Sequence, residues 1–247
     1  MKYAICITQL APMRLGPDHR EELTSQFLFS ETATILENNG KGWLLLENTW
    51  DKYTGWCRSN QFFMSDDLPA FTNNYTGSWV NNIIVNGIPM MVPFGTPLIA
   101  DVKGINVGFD GTVLHAGEMP ADGDGIRKIA ALFLNTAYLW GGRSVFGIDC
   151  SGFAQAVFRM FNIPLLRDAK LQATQGEAVG FLQEVVCGDL AFFDEGDEIM
   201  HVGILLNESE IIHASGNVRI DKIDAQGIIH SGTGLRTHRL RVIKRVR

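Results

Sequence analysis

The chain reads as an α+β protein whose first half is all β, and three observations predict this. From residue 1 to about 115 the apolar runs are short (ATILE, GWLLLE, TGWCR, NNIIVNGIPMMVPFGTPLIA, GTVLHA). Asn, Gly and Pro interrupt them about every ten residues, the spacing of small β modules. After Met119 the apolar period changes to that of helices. Three strand-like runs then follow, DLAFFD, IMHVGILL and EIIHAS, before a terminal RLRVIKRVR.

In chain order, Ser65–Pro69 (SDDLP) marks a break between two β modules. Only Asp18–Leu28 in that half has helix length, as a helix or a loop with one helical turn. ADGDGIRKIAALFLNTA sets Ile126, Ile129, Ala130, Phe133 and Ala137 on a helical period behind an Asp-Gly start signal. SGFAQAVFRMFNIP places Ala154, Val157, Phe158 and Phe161 on one helix face, and Asn162 and Pro164 end it. The alternating tail Arg236–Arg247 is expected to form an edge strand with charged outward positions rather than a nucleic-acid arm.

A chain of 247 residues is long enough for two or three small domains. It is 46% hydrophobic and 19% charged, which argues against disorder, and its net charge of −6 argues against nucleic acid as the main partner. No apolar run approaches the roughly 20 residues of a membrane span. YAICI near the start is too short for a signal segment. With Met1 as the native start a cytoplasmic location is expected; a trimmed leader would instead make the protein periplasmic or exported. The four cysteines, Cys6, Cys57, Cys150 and Cys187, form no C-x-x-C pair and no disulfide framework. Cys6, Cys57 and Cys187 read as buried or inert. Trp43 and Trp56 read as core aromatics, and His115 and His230 have no evident partner.

Cys150, in YLWGGRSVFGIDCSGF, is the residue that can carry chemistry. It starts a helix, where free N–H groups carry about half a positive charge and lower a thiol pKa. Asp149 before it is an N-cap by default, worth about 1 kcal/mol. His201 and His213 flank Asn207-Glu208-Ser209 in a predicted hairpin. A loop of those three residues pairs Leu206 with Glu210, Gly203 with His213 and His201 with Ser215. The two histidines then share a face with Cα atoms roughly 7–8 Å apart. Val202, Ile204, Leu206, Ile212 and Ala214 take the opposite, buried face, and a one-residue slip would destroy both arrangements.

In this arrangement Cys150 attacks an acyl carbon, His201 takes and returns the proton, and His213 orients His201. The Cys150 amide can donate to the oxyanion, worth about 3–4 kcal/mol of barrier. Blander readings stand beside this. The cysteine can be structural, the histidines can be exposed or satisfied, and a Cys/His₂ metal site with Asp149 as fourth ligand is conceivable, though its spacing fits no common zinc pattern.

YLWGGRSVFGIDCSGF, GDLAFF, HVGILL and IIHAS, in that order, resemble the NlpC-type cysteine peptidases, which have a papain-like fold. The resemblance covers residues 120–247 and puts nucleophile, base and orienting residue on Cys150, His201 and His213. PMRLGPDHREELTSQFLFSE with WDKYTGW resembles the bacterial SH3-like domain of the dipeptidyl-peptidase VI, or γ-D-glutamyl-L-diamino-acid endopeptidase, branch. That implies SH3-like domains over 1–65 and 66–118 and a papain-like domain over 119–247.

It further implies a cysteine endopeptidase that needs no cofactor or metal. The substrate would be a free murein peptide with an unblocked L-Ala, cut between D-γ-glutamate and the diamino acid through a thioester. Tyr138, Asp149 and Ser151 would bind the L-Ala end, with Asp149 facing its ammonium. Tyr53 would close the pocket, Glu22 would add a second carboxylate and Trp140 would line the cleft. The competing classes are a non-catalytic wall peptide or glycan binder and an acyltransferase on the same fold.

Overall fold

The computed structural model describes residues 1–69, 72–99 and 104–246. Ala100, at the end of the long apolar run, and Arg247, at the end of the tail, lie outside the described residues. The chain divides into two compact units, Met1–Ala116 with Trp140–Phe146, and Gly117–Leu139 with Gly147–Arg247.

The first unit contains β1 (Tyr3–Cys6), β2 (Leu10–Arg14), β3 (Leu23–Leu28), β4 (Thr32–Asn38), β5 (Trp43–Asn48), β6 (Thr54–Arg58) and β7 (Phe62–Ser65). They form one sheet in the order β3-β2-β6-β5-β4-β1-β7. Ala4, Cys6, Ala11, Met13, Phe27, Leu44, Leu46 and Cys57 fill its core. The helix or helical turn expected over Asp18–Leu28 is absent; bends and turns lead directly into β3. The segment's apolar positions belong to a strand, where Phe27 enters the core.

Next come β8 (Asn74–Thr76), β9 (Val80–Val85), β10 (Ile88–Pro93), β11 (Val107–Gly108) and β12 (Val113–His115). Asn86 and Gly87 both take positive φ between β9 and β10, the requirement of a two-residue hairpin loop. Phe29 packs with Ile83 and Val92, so β9 and β10 share apolar contacts with the segment after β3. The segment 140–146, with β13 (Arg143–Ser144), also belongs here. Arg143 pairs with Glu31 at 3.0 Å, donates to the Gln26 carbonyl at 2.6 Å and lies over the Trp50 ring. Burial of both ions makes this pair costly to break from one side.

The second unit has three α-helices among its described residues, α1 (Gly123–Ala131), α2 (Cys150–Arg159) and α3 (Ala169–Gln172), with β14 (Gly147–Ile148) just before α2. Asp122 caps α1 through the Gly125 amide, and α1 ends before Phe133 and Ala137, earlier than the apolar period suggests. Ala154, Val157, Phe158 and Phe161 are buried, as their spacing predicts.

The remaining strands are β15 (Glu177–Val179), β16 (Leu190–Glu195), β17 (Glu198–Asn207), β18 (Glu210–Ser215), β19 (Asn217–Asp224), β20 (Gly227–Ile229) and β21 (Arg236–Arg245). Their order is β15-β21-β16-β17-β18-β19-β20, and β20 pairs back to β21. Six strands therefore close into a barrel, with β15 added alongside.

Closure changes two expectations. The tail is not an edge strand, because β21 has strand partners on both sides. Its outward charges are matched by acids: Arg239 pairs with Asp194 and Arg245 with Asp189. The histidine face of the hairpin is also buried, because it turns into the barrel. Leu205 and Ile211 lie there with Ala191, Phe193, Ile223, Ile228 and Ile243. Val202, Ile204, Leu206, Ile212 and Ala214 are buried on the other side, and α2 packs against β17 and β18.

Candidate active site

The β17–β18 hairpin pairs Ile204 with Ile212 and Leu205 with Ile211. Continued, this register sets Gly203 opposite His213, as the apolar pattern requires. The turn differs from expectation: Asn207 pairs with Glu210, leaving a two-residue loop, and Leu206 is the extra residue of a bulge. The Arg127 guanidinium donates to the Leu206 carbonyl, satisfying a group left out of the ladder. A Cβ on Gly203 would lie 2.9 Å from the His213 Cβ, so glycine gives the imidazole its room.

His201 Nε2 lies 2.8 Å from His213 Nδ1, and His213 Nε2 lies 3.0 Å from Asp221 Oδ2. Arg219 Nε donates to the same carboxylate oxygen at 2.9 Å, and the Ser231 amide donates to Oδ1 at 2.8 Å. Burial pushes the Asp221 carboxyl up, but the bonds from His213, Ser231 and Arg219 hold it well below the usual carboxylate range. An ionised Asp221 only accepts. The proton on His213 therefore sits on Nε2, its Nδ1 accepts, and His201 donates from Nε2. The basic nitrogen of His201 is then Nδ1. Burial, then the neighbouring His213, His238 and Arg219, holds His201 far below the ordinary histidine range, so it is neutral at rest. Burial lowers His213 too, with Asp221 opposing.

Cys150 opens α2, and Asp149 is its N-cap, accepting from the Gly152 amide at 2.7 Å. The thiol meets the backbone of β17 on both sides of His201. Sγ lies 4.0 Å from the Met200 carbonyl, and the Val202 amide on the other side favours its thiolate form. It is only 5% exposed, and burial, with Asp149 adding to it, pushes the thiol up to about 12. Burial therefore opposes the priming expected from the helix terminus, and the thiol rests protonated beside the strand that carries a neutral His201. Among the described residues no hydrogen bond joins Sγ to an imidazole. Such bonds commonly tighten only when substrate is bound.

Asp149 has a partner that the sequence did not disclose. Arg167, fully buried, donates to both carboxylate oxygens at 3.0 and 2.5 Å and to Ser151 Oγ at 2.9 Å. Ser151 Oγ donates in turn to Asp149 Oδ1 at 3.3 Å. These bonds account for Asp149 without a metal. Among the described residues no group of three or more His, Cys, Asp or Glu side chains is placed to hold one. Tyr138 is half-buried, its hydroxyl raised by burial and then by Cys150 and Asp149, and its backbone bridges to Ile148 just before them.

The structure thus brings together Cys150, Asp149, Ser151 and Tyr138, and His201 with His213. The other three residues singled out lie in the first unit. Glu22 Oε1 accepts from Trp140 Nε1 at 2.7 Å, and Trp140 is 51% exposed. Tyr53 packs on the core of the seven-stranded sheet there. Asp221, Arg167 and His238 were missed. No local period marks them, although an acid eight residues beyond His213 is the one signal that a strand reading of NVRIDKID offers.

A groove of about 550 Å³ opens over the barrel mouth, lined by Tyr138, Phe193, Met200, His201, His238 and Arg239 among others. A thiol at a helix start lies against the strand that carries a neutral imidazole, and a buried acid fixes that imidazole through a second one; these are the group types a thiol hydrolase uses. Residues 135–237 match the family model described as NlpC/P60 family. The chain carries an NlpC/P60 family domain and is a cysteine peptidase.

Among its relatives is the dipeptidyl-peptidase 6 of Lysinibacillus sphaericus, 25% identical over 90% of this chain and 92% of that protein. The γ-D-glutamyl-L-lysine dipeptidyl-peptidase of Bacillus subtilis is 41% identical over 36% of this chain, and the match covers 31% of that protein. The crystal structure of an NlpC/P60 family protein from Bacillus cereus covers 99% of both chains, with a TM-score of 0.81 at 20% identity. No helix among the described residues is long and apolar enough to cross a membrane.

Proposed function

We propose that the protein hydrolyses the γ-D-glutamyl–L-diamino acid bond of free murein peptides whose L-Ala amino terminus is unblocked. The observation that carries the chemistry is the chain from Asp221 through His213 to His201, laid along the strand whose backbone touches the Cys150 thiol. The names of the relatives support the bond, and the thiol at the start of α2 supports the thioester route.

His201 Nδ1 takes the thiol proton as Sγ bonds to the γ-carbonyl carbon. The Cys150 amide, in the first helical turn and out of reach of any helix carbonyl, donates to the oxyanion. Collapse releases the diamino acid amine with the proton from His201 and leaves a thioester, which water cleaves with His201 again as base.

Asp149, with Tyr138 and Ser151 near it, is assigned to the L-Ala ammonium. Arg167 already neutralises one charge there, so the ammonium would join an ion cluster rather than a bare carboxylate. We infer that residues 1–65 and 66–118 are two SH3-like domains, as the resemblance to the dipeptidyl-peptidase VI branch implies.

The test is product analysis with L-Ala-γ-D-Glu-diaminopimelate, free and N-acetylated, using wild type and Cys150→Ala. Only the free peptide with wild type should give the dipeptide. Equal cutting of the acetylated peptide would remove the ammonium site, and turnover by Cys150→Ala would remove the nucleophile.

A further inference from the structure

His238 lies on β21, in the stretch read from sequence as an outward-charged tail. Its ring stacks on His201, centroids 4.2 Å apart and planes 27° from parallel. It stands edge-on to His213 at 5.7 Å and to Phe193 at 6.0 Å, and it lines the groove. Two irregularities aim it there. Between Phe192 and Phe193 the partner on β21 jumps from Val242 to Leu240, leaving Arg241 as an extra residue. Between Ile228 and Ile229 it jumps from His238 to Arg236, leaving Thr237 extra. The Arg241 bulge moves the inward positions from Ile243 to Leu240 and His238; an unbroken alternation from Ile243 would turn His238 outward. Gly227, at φ 136°, lets β20 approach the His238 carbonyl, where a Cβ would come within 1.8 Å of the oxygen. Thr237 Oγ1 lies 2.8 Å from His238 Nδ1 and fixes the ring's rotation.

We propose that His238 is a positioning residue of the reaction: its ring, stacked on His201, holds the plane of the base and keeps water from one face. The base has one fixed end, Nε2 on His213, and without a stacked neighbour it can turn about that bond and carry Nδ1 away from the thiol. Burial and then His213 and Arg219 push His238 down to about 4, so it meets His201 as a neutral ring across the neutral pH range. Its ring adds to the burial that holds His201 neutral, and being uncharged it sets no second charge beside the imidazolium that His201 becomes. Among the described residues the charged and titratable groups around the pair are His213 on β18, Arg219 and Asp221 on β19, His230 after β20, Asp194 and Glu195 on β16, Arg239 on β21, and Tyr138. The proposal rests on the thiol peptidase reading of the site and not on the identity of the peptide.

The experiment compares His238→Ala, His238→Gln and His238→Phe with wild type in the full chain. Two readouts are the His201 ring titration by NMR and the pH profile of Cys150 alkylation by iodoacetamide, neither of which needs a substrate. A third is the pH profile of kcat/KM on the free tripeptide. Ala and Gln should raise the His201 midpoint by about one unit, move the acid limb of kcat/KM with it, and lower kcat roughly tenfold or more with KM little changed. Phe, which keeps the stacked face, should leave the midpoint near wild type and retain more kcat than either.

An unmoved His201 midpoint in Ala and Gln overturns the proposal, as does a loss of thermal stability with kcat and the acid limb unchanged. Phe as damaging as Ala overturns it too, since the nitrogens rather than the face would then matter. If Ala does not fold, Gln against Phe decides. Wild type inert on the tripeptide counts against the substrate assignment, and the NMR and alkylation arms still judge His238.

Discussion

His213 Nε2 lies 3.0 Å from Asp221 Oδ2, and that contact sets the proton positions of both imidazoles. With Asp221 ionised, each nitrogen in the chain has one possible role, ending in a lone pair on His201 Nδ1. Asp221→Asn removes the charge but keeps the shape, and its amide can donate to His213 and reverse the chain. We expect kcat to fall on the order of 10²-fold with KM and thermal stability close to wild type. A kcat within threefold of wild type would show that the acid has no part in orienting the base.

Cys150 and His201 are both held in their neutral forms by burial. Without substrate, alkylation of Cys150 should therefore be slow at pH 7 and rise steadily through pH 9 without a plateau near neutrality. The rate of iodoacetamide labelling against pH checks this. A plateau below pH 7 would mean a resting thiolate–imidazolium pair.

His201, His213 and His238 all have depressed folded pKa values. Each is neutral in the folded protein where the unfolded chain, with histidines near 6.5, takes up a proton. Their contribution is therefore complete above about pH 6.5 and is lost as pH falls, down to about 4 for His238. Asp221, held well below its usual range, stays ionised through this window. Tm measured from pH 7.5 to 4.5 should decline, and His238→Phe should flatten the decline. A constant Tm across that range is incompatible with three rings held neutral in the folded protein.

Arg167 and Asp149 form a buried ion pair at the start of α2. Arg167→Met leaves the carboxylate unmatched and should cost about 3–5 kcal/mol in urea unfolding. Adding Asp149→Asn should recover most of that, because Asn still caps α2. A double variant no more stable than Arg167→Met would show that the pair is not the source of the loss.

Much of the chemistry was legible in the sequence because it is local. Asp149 caps and Cys150 opens α2 because a capping residue precedes a helical apolar period, and both signals lie within a dozen residues. His201 and His213 face each other because one register alone buries Val202, Ile204, Ile212 and Ala214 together. Other readings failed where the determining contact is distant. The Asp18–Leu28 segment is turn and strand, since its pattern is completed by β2 rather than by itself. The tail is an inner strand, since its neighbours β15, β16 and β20 come from elsewhere in the chain.

The sequence by itself determined a cysteine at a helix start, two imidazoles on one face of a hairpin, and the strands and helix that carry them, through periodicity and capping. Only the tertiary structure decided the protonation of the thiol, the partnership of Arg167 with Asp149, the acid behind His213 and the ring stacked on His201. A folded interior removes solvent from charges, and a bulge reverses which side of a strand faces inward; neither effect leaves a mark in the spacing of neighbouring residues.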